Sequence, residues 1–190
     1  MIVFVDGFQN TGKTSLIEGC SYLHNRFPFN QYLEDYDLLN KKEELNGFQL
    51  AKDLGILFAS RYIKHNVVFD RGPFSTIFYS LKENRYDDNT PEVIMKFLVE
   101  ISKFENCEYV FVTKKNEKQN NKREHNDGFD YLDDDNDLEK ENILENIIKA
   151  SKLIGIKLHI FENDFSKSLQ QNIEDFNKFL RGLENEHNRS

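Results

Sequence analysis

Ile2-Val-Phe-Val-Asp6-Gly7-Phe-Gln-Asn-Thr-Gly12-Lys13-Thr14-Ser15 is the stretch on which the fold turns. Ile2 to Val5 have the β-branched and aromatic composition of a short buried strand. Gly7 to Thr14 match the pattern Gly-x-x-x-x-Gly-Lys-[Ser/Thr] in full, after that strand and at the opening of a helical stretch. Each part of the pattern has a physical task. The glycines let the backbone turn so that successive N–H groups converge on phosphate oxygens, and the helix starting near Lys13 adds its positive end. Lys13 is expected to reach the β- and γ-phosphates of ATP, and the Thr14 hydroxyl to bind Mg²⁺. Gly7, Asn10, Thr11, Gly12, Lys13, Thr14 and Ser15 are therefore the candidate cofactor-binding residues.

Outward from this loop, three more runs read as strands: Val67-Val-Phe69, Tyr109-Val-Phe-Val112 and Ile156-Lys-Leu-His-Ile-Phe161, with a weaker fifth at Gln31-Tyr-Leu33. Helical periodicity fills the intervals, over 13–25, 41–65, 73–83, 91–104, 138–154 and 165–183. Pro73 and Pro91 suit the first turn of a helix, where a missing N–H is harmless. Short buried strands alternating with helices predict an α/β protein, a three-layer α/β/α sandwich around a five-stranded parallel sheet. The stretch 114–130 is rich in Lys, Asn and Glu and poor in apolar residues, so it is expected to form a mobile lid on a single domain spanning 1–190.

The second chemical signal is Val67-Val-Phe-Asp70-Arg71-Gly72-Pro73-Phe-Ser75. An apolar strand delivers Asp70 to the carboxyl edge of the sheet, where α/β proteins bind ligands. Asp70 is expected to hold Mg²⁺ with Thr14. Arg71 offers a planar fork suited to phosphate.

Composition limits the alternatives. The 190 residues carry 25 Lys+Arg against 33 Asp+Glu, a formal charge of −8, and the net acidity argues against a nucleic-acid backbone as partner. Seventeen Phe and eight Tyr supply enough core to exclude wholesale disorder. Two cysteines without a CxxC pair suit a reduced compartment. With no stretch reading as a signal peptide or a membrane span, the expected location is cytoplasmic. The acidic run 133–137 lacks the Gly and Glu of a calcium loop, and the five histidines have no metal-ligand spacing.

At this point the sequence resembles the thymidylate kinase branch of the P-loop nucleoside/nucleotide kinases. Asp70-Arg71-Gly-Pro-Phe-Ser75-Thr-Ile-Phe-Tyr79 is similar to that family's Asp-Arg-Tyr-x-x-Ser-x-x-Ala-Tyr, and Leu57-Phe58-Ala-Ser-Arg61 to its Leu-Phe-x-Ala-x-Arg helix. The resemblance implies transfer of the γ-phosphate of ATP to a pyrimidine deoxynucleoside monophosphate such as dTMP. It implies that Phe58 stacks on the acceptor base, with Arg61, Arg71 and Ser75 on the acceptor. Gln9 stands where the family has a carboxylate facing the acceptor sugar. Lys13 and Arg71 would be catalytic, joined by Arg123 as the only Arg of the lid. Adenine contacts are expected from the lid base and a loop Glu162-Asn163-Asp164. Pairing of two copies through helices flanking the sheet is a further option the resemblance brings.

A rival reading is a deoxynucleoside kinase, in which Glu34 or Asp35, following the weak strand at 31–33, acts as base on a 5′-hydroxyl. It is favoured by the lack of any Arg between Arg26 and Arg61, since a thymidylate kinase typically has one near the end of its second strand. A polynucleotide 5′-kinase would need a basic channel at odds with the acidic balance. A non-enzymatic ATP sensor has no use for a basic lid.

Overall fold

A computed structural model describes residues 1–8, 10–26, 51–52, 55–56, 58, 62, 64–72, 74, 96, 100, 107–116, 144–145, 147–149, 151–152 and 155–189. Five strands pair in parallel throughout: β1 Ile2–Gly7, β2 Leu23–Arg26, β3 Val67–Asp70, β4 Cys107–Lys115 and β5 Leu158–Asp164. Their order across the sheet is β2-β3-β1-β4-β5. The phosphate-loop strand thus lies at the centre, its register running Val5↔Asp70 on one side and Val5↔Val110 on the other.

Alternation along the strands separates two packed faces. Val3, Val5, Val68, Val110 and Val112 point to the side covered by helices α1 (Lys13–Gly19) and α2 (Leu169–His187), where Leu16, Ile17, Phe176 and Leu180 complete the core. Aromatic rings occupy the other face. Phe4 stacks between Phe69 and Tyr109, each centroid 5.6 Å away, and Phe74 meets Tyr109 edge-on. Burial on both sides is why these strands read as continuous apolar runs rather than alternating ones.

Helix α2 is fixed at both ends. Ser168 and Gln171 form a reciprocal capping box at its start. Near its end Glu184 accepts from the Tyr22 hydroxyl and from Asn66 Nδ2, at 2.8 and 2.6 Å.

Three expectations are corrected. The helix expected over 13–25 stops at Gly19, and Cys20 is already extended (φ −74, ψ 157). The chain then forms β2 at Leu23–Arg26, a strand that the sequence reading did not expect; the strand expected at 31–33 lies outside the described residues. Strand β4 continues through Lys115, which makes the first two residues assigned to the lid part of the sheet, and β5 runs through Asp164, so Glu162-Asn163-Asp164 is strand rather than loop. Residues 117–130 lie outside the described residues, as do the expected helices at 41–65, 73–83, 91–104 and 138–154 except for scattered positions. Among the described residues, no helix is long and apolar enough to cross a membrane.

Candidate active site

The carboxyl edge of the sheet gathers the two motifs. After β1 the chain enters the loop, with Asn10 (φ 58) and Gly12 (φ 74) both left-handed. Asn tolerates that conformation because its short side chain can bond locally. Gly12 is required by space as well. A Cβ there would lie 2.5 Å from Asn163 Nδ2. The loop is braced from within and from outside: Thr11 Oγ1 donates to the Phe8 carbonyl at 3.0 Å, and Asn163 Nδ2 on β5 donates to the Thr11 carbonyl at 2.7 Å.

Lys13 and Thr14, the first two residues of α1, face the end of β3. Lys13 Nζ donates to Asp70 Oδ1 at 2.9 Å, and Thr14 Oγ1 donates to Asp70 Oδ2 at 3.0 Å. One carboxylate therefore receives both side chains that the sequence assigned to phosphate and metal. Burial pushes the Asp70 carboxyl up, but the charge and hydrogen bond of Lys13, the charge of Arg71 and the Thr14 hydroxyl outweigh it and hold the group below its ordinary value. Lys13, 8% exposed, is pushed below its ordinary value by burial and by the Arg71 charge, against the opposing pull of Asp70 and Asp6.

Arg71 leaves β3 in the left-handed region (φ 70), its N–H donating to the Val5 carbonyl at 3.0 Å. Gly72 follows so close to the sheet that a Cβ would fall 2.7 Å from Phe4 Cβ. This accounts for glycine where the resembling family has an aromatic residue.

The structure thus brings together Lys13, Thr14, Asp70 and Arg71, with Gly7, Asn10, Thr11 and Gly12 around them. Ser15 lies in α1, one residue beyond Thr14. Phe58 is helical and 55% exposed. Gln9, Glu34, Asp35, Arg61, Ser75 and Arg123 lie outside the described residues. Among the described residues, no three His, Cys, Asp or Glu side chains gather to hold a metal ion.

Asn163, expected in a loop among the adenine contacts, lies on strand β5. Two residues escaped the sequence reading. Asp6 stands beside the first glycine of the motif but outside its pattern. Arg26 ends β2 with its backbone in register with Asp70, and was read as a residue just past a helix. A strand placed at 23–26 would have drawn attention to it.

No family model matches the sequence, and no curated protein does. Two solved structures are similar over nearly the whole chain. A deoxyadenosine kinase from M. mycoides, solved with bound dCTP, superposes with a TM-score of 0.53 at 17% identity, over 96% of this chain and 100% of its own. A thymidylate kinase from Ehrlichia chaffeensis superposes with a TM-score of 0.54 at 14% identity, over 95% and 98%. With its central phosphate-loop strand and all-parallel sheet, the chain has the fold of the P-loop nucleoside and nucleotide kinases.

Proposed function

We propose that this chain is an ATP- and Mg²⁺-dependent kinase that transfers the γ-phosphoryl group of ATP to a pyrimidine deoxynucleoside monophosphate such as dTMP. The observation that carries the proposal is the convergence of Lys13, Thr14 and Asp70 within 3.0 Å hydrogen bonds, with Arg71 next in the chain. Phosphoryl transfer asks a protein for positioned cations and little covalent chemistry, and this is such a cluster.

In this reading the amides of the loop, with Lys13, hold the donor phosphates. Thr14 and Asp70 supply hydroxyl and carboxylate oxygens, the hard donors that Mg²⁺ takes, and both point to one place. The ion, when bound, would neutralise charge on the phosphate oxygens. Arg71 grips the acceptor phosphate and Arg123 closes from the lid. Phe58, Arg61, Ser75 and Gln9 serve the acceptor.

The choice of a monophosphate over a free nucleoside is supported by Arg26. The rival drew its strength from the lack of an Arg at the end of the second strand, and β2 ends in one, paired in register with Asp70. A cation there suits an acceptor that is already ionised and needs no general base.

An ATP-consumption screen with Mg²⁺ against deoxynucleosides and their monophosphates tests the proposal, with Lys13→Ala as control. Turnover is expected with a pyrimidine monophosphate and is expected to vanish in the control. Turnover with free nucleosides alone would transfer the assignment to the nucleoside kinase reading and to Glu34 or Asp35. A control as active as the wild type would sink the phosphate-loop mechanism.

A further inference from the structure

Asp6, the residue directly before the phosphate loop, is a carboxylate set in the middle of an apolar sheet and only 1% exposed. Its Oδ1 accepts the Gly72 N–H at 2.8 Å in a fully buried contact. The neighbouring amide, Arg71 N–H, donates to the Val5 carbonyl. Two consecutive amides past the end of β3 are thus tied to two consecutive residues of β1. Strands β1 and β3 pair in the register Val5↔Asp70, so the Asp6 side chain extends the ladder one step beyond the last paired strand residue.

That extra step falls where the backbone is unusual. Arg71 has φ 70, a conformation that a long side chain rarely adopts and keeps only where its surroundings over-determine it. Here the surroundings are the two amide bonds and the contact of Gly72 with Phe4, which leaves the chain no other course. Without the Asp6 acceptor, the Gly72 N–H would be buried unsatisfied, and the turn would have reason to rearrange toward water.

We infer that Asp6 is a positioning residue: its hydrogen bond to Gly72 holds Arg71 in the left-handed turn and so couples the phosphate loop to the acceptor side of the site. What Arg71 does there rests on the kinase reading above; the hydrogen bond and the turn do not.

Two variants separate the bond from the charge. Asp6→Ala removes the acceptor, while Asp6→Asn keeps an oxygen that can accept from Gly72 and removes the charge. In amide hydrogen exchange followed by NMR, D6A is expected to lose protection at Gly72 while β4 and α2 keep theirs, and D6N to keep it. In turnover, D6A is expected to be slower by about 10²-fold, the loss that a displacement of order 1 Å can cause. D6N stays near wild type, and adding D6A to Arg71→Ala costs little more than Arg71→Ala alone, because both act through one group. Unchanged exchange at Gly72 in D6A overturns the inference. So does D6N turnover as low as that of D6A, or losses that add across Asp6 and Arg71. If D6A does not fold, D6N decides alone, and loss of either its Gly72 protection or its turnover overturns the inference. If the wild-type chain phosphorylates no acceptor, the kinase reading falls, and the exchange result decides the inference by itself.

Discussion

Lys13 and Asp70 stand 57 positions apart in the chain, and their side chains meet at 2.9 Å in a pair almost wholly removed from water. The pair joins the loop after β1 to the neighbouring strand β3. Two charges taken out of water are tolerable only when each has its partner and further hydrogen bonds, and Thr14 supplies one of these to Asp70. The consequence is that the fold itself holds Lys13 and Asp70 against each other. In the proposed kinase reading that arrangement suits electrostatic catalysis, since groups already oriented need no reorganisation during the reaction.

Asp70→Asn should therefore affect stability as well as turnover. It leaves the Lys13 ammonium buried beside Arg71, and breaking one side of a buried pair costs roughly 3–5 kcal/mol. The pH dependence has a definite sign. Burial and Arg71 already hold Lys13 below its ordinary 10.5, and loss of the Asp70 charge lowers it further. Below 10.5 the unfolded chain binds this proton more readily than the folded one, so raising the pH relieves the folded state of the buried charge. The stability gap between wild type and D70N should narrow in alkaline solution. Urea midpoints at neutral and alkaline pH measure it, and a gap that stays constant or widens would show that Lys13 is not the cause.

Arg26→Ala tests the acceptor class. If Arg26 meets an acceptor phosphate, its loss removes a charge-assisted hydrogen bond, and KM for the monophosphate should rise by roughly 10- to 10²-fold, equivalent to about 1.5–3 kcal/mol. KM for ATP should hold, because the loop to which the proposal assigns the donor phosphates follows β1, not β2. Steady-state kinetics with each substrate varied in turn gives both values. An unchanged acceptor KM would remove the support that Arg26 gives to a monophosphate acceptor.

The phosphate loop, the Asp70-Arg71 pair and four of the five strands were legible because their signals are local: an unbroken motif, or an apolar run buried on both faces. Strand β2 was not. Among the described residues it lies at the edge of the sheet and pairs only with β3, and it contains a single apolar residue, Leu23, which is itself 62% exposed. An edge strand is held by backbone hydrogen bonds more than by side chains, so its sequence need not announce it. Arg26 therefore stood outside every expected strand, while the strand expected at 31–33, with Glu34 and Asp35 after it, lies outside the described residues. Asp6 was hidden for a different reason. Its partner is a backbone amide 66 residues later, a contact that no pattern of side chains along the chain encodes.

Glu108 provides a test at the other end of the sheet. It follows Cys107 at the start of β4, and its two oxygens meet His159 Nε2 of β5 at 2.9 Å and His187 Nδ1 of α2 at 3.4 Å. Lys157 and Glu186, paired at 2.7 Å, complete the charged surroundings. Burial raises the Glu108 carboxyl, but hydrogen bonding and charge from His159, and then from His187, outweigh it and hold the group below its ordinary 4.5. A carboxyl depressed in the folded state contributes stability that is fully present above 4.5 and is lost as pH falls through the folded value. Glu108→Gln should accordingly be less stable than wild type near neutrality, and the difference should close on acidification below 4.5. Urea unfolding across an acid series checks this, with turnover as a control, because the side chain is at the amino edge of the sheet and the phosphate loop is at the carboxyl edge. Parallel stability curves down to the lowest pH would mean that the two histidines do not hold Glu108 ionised.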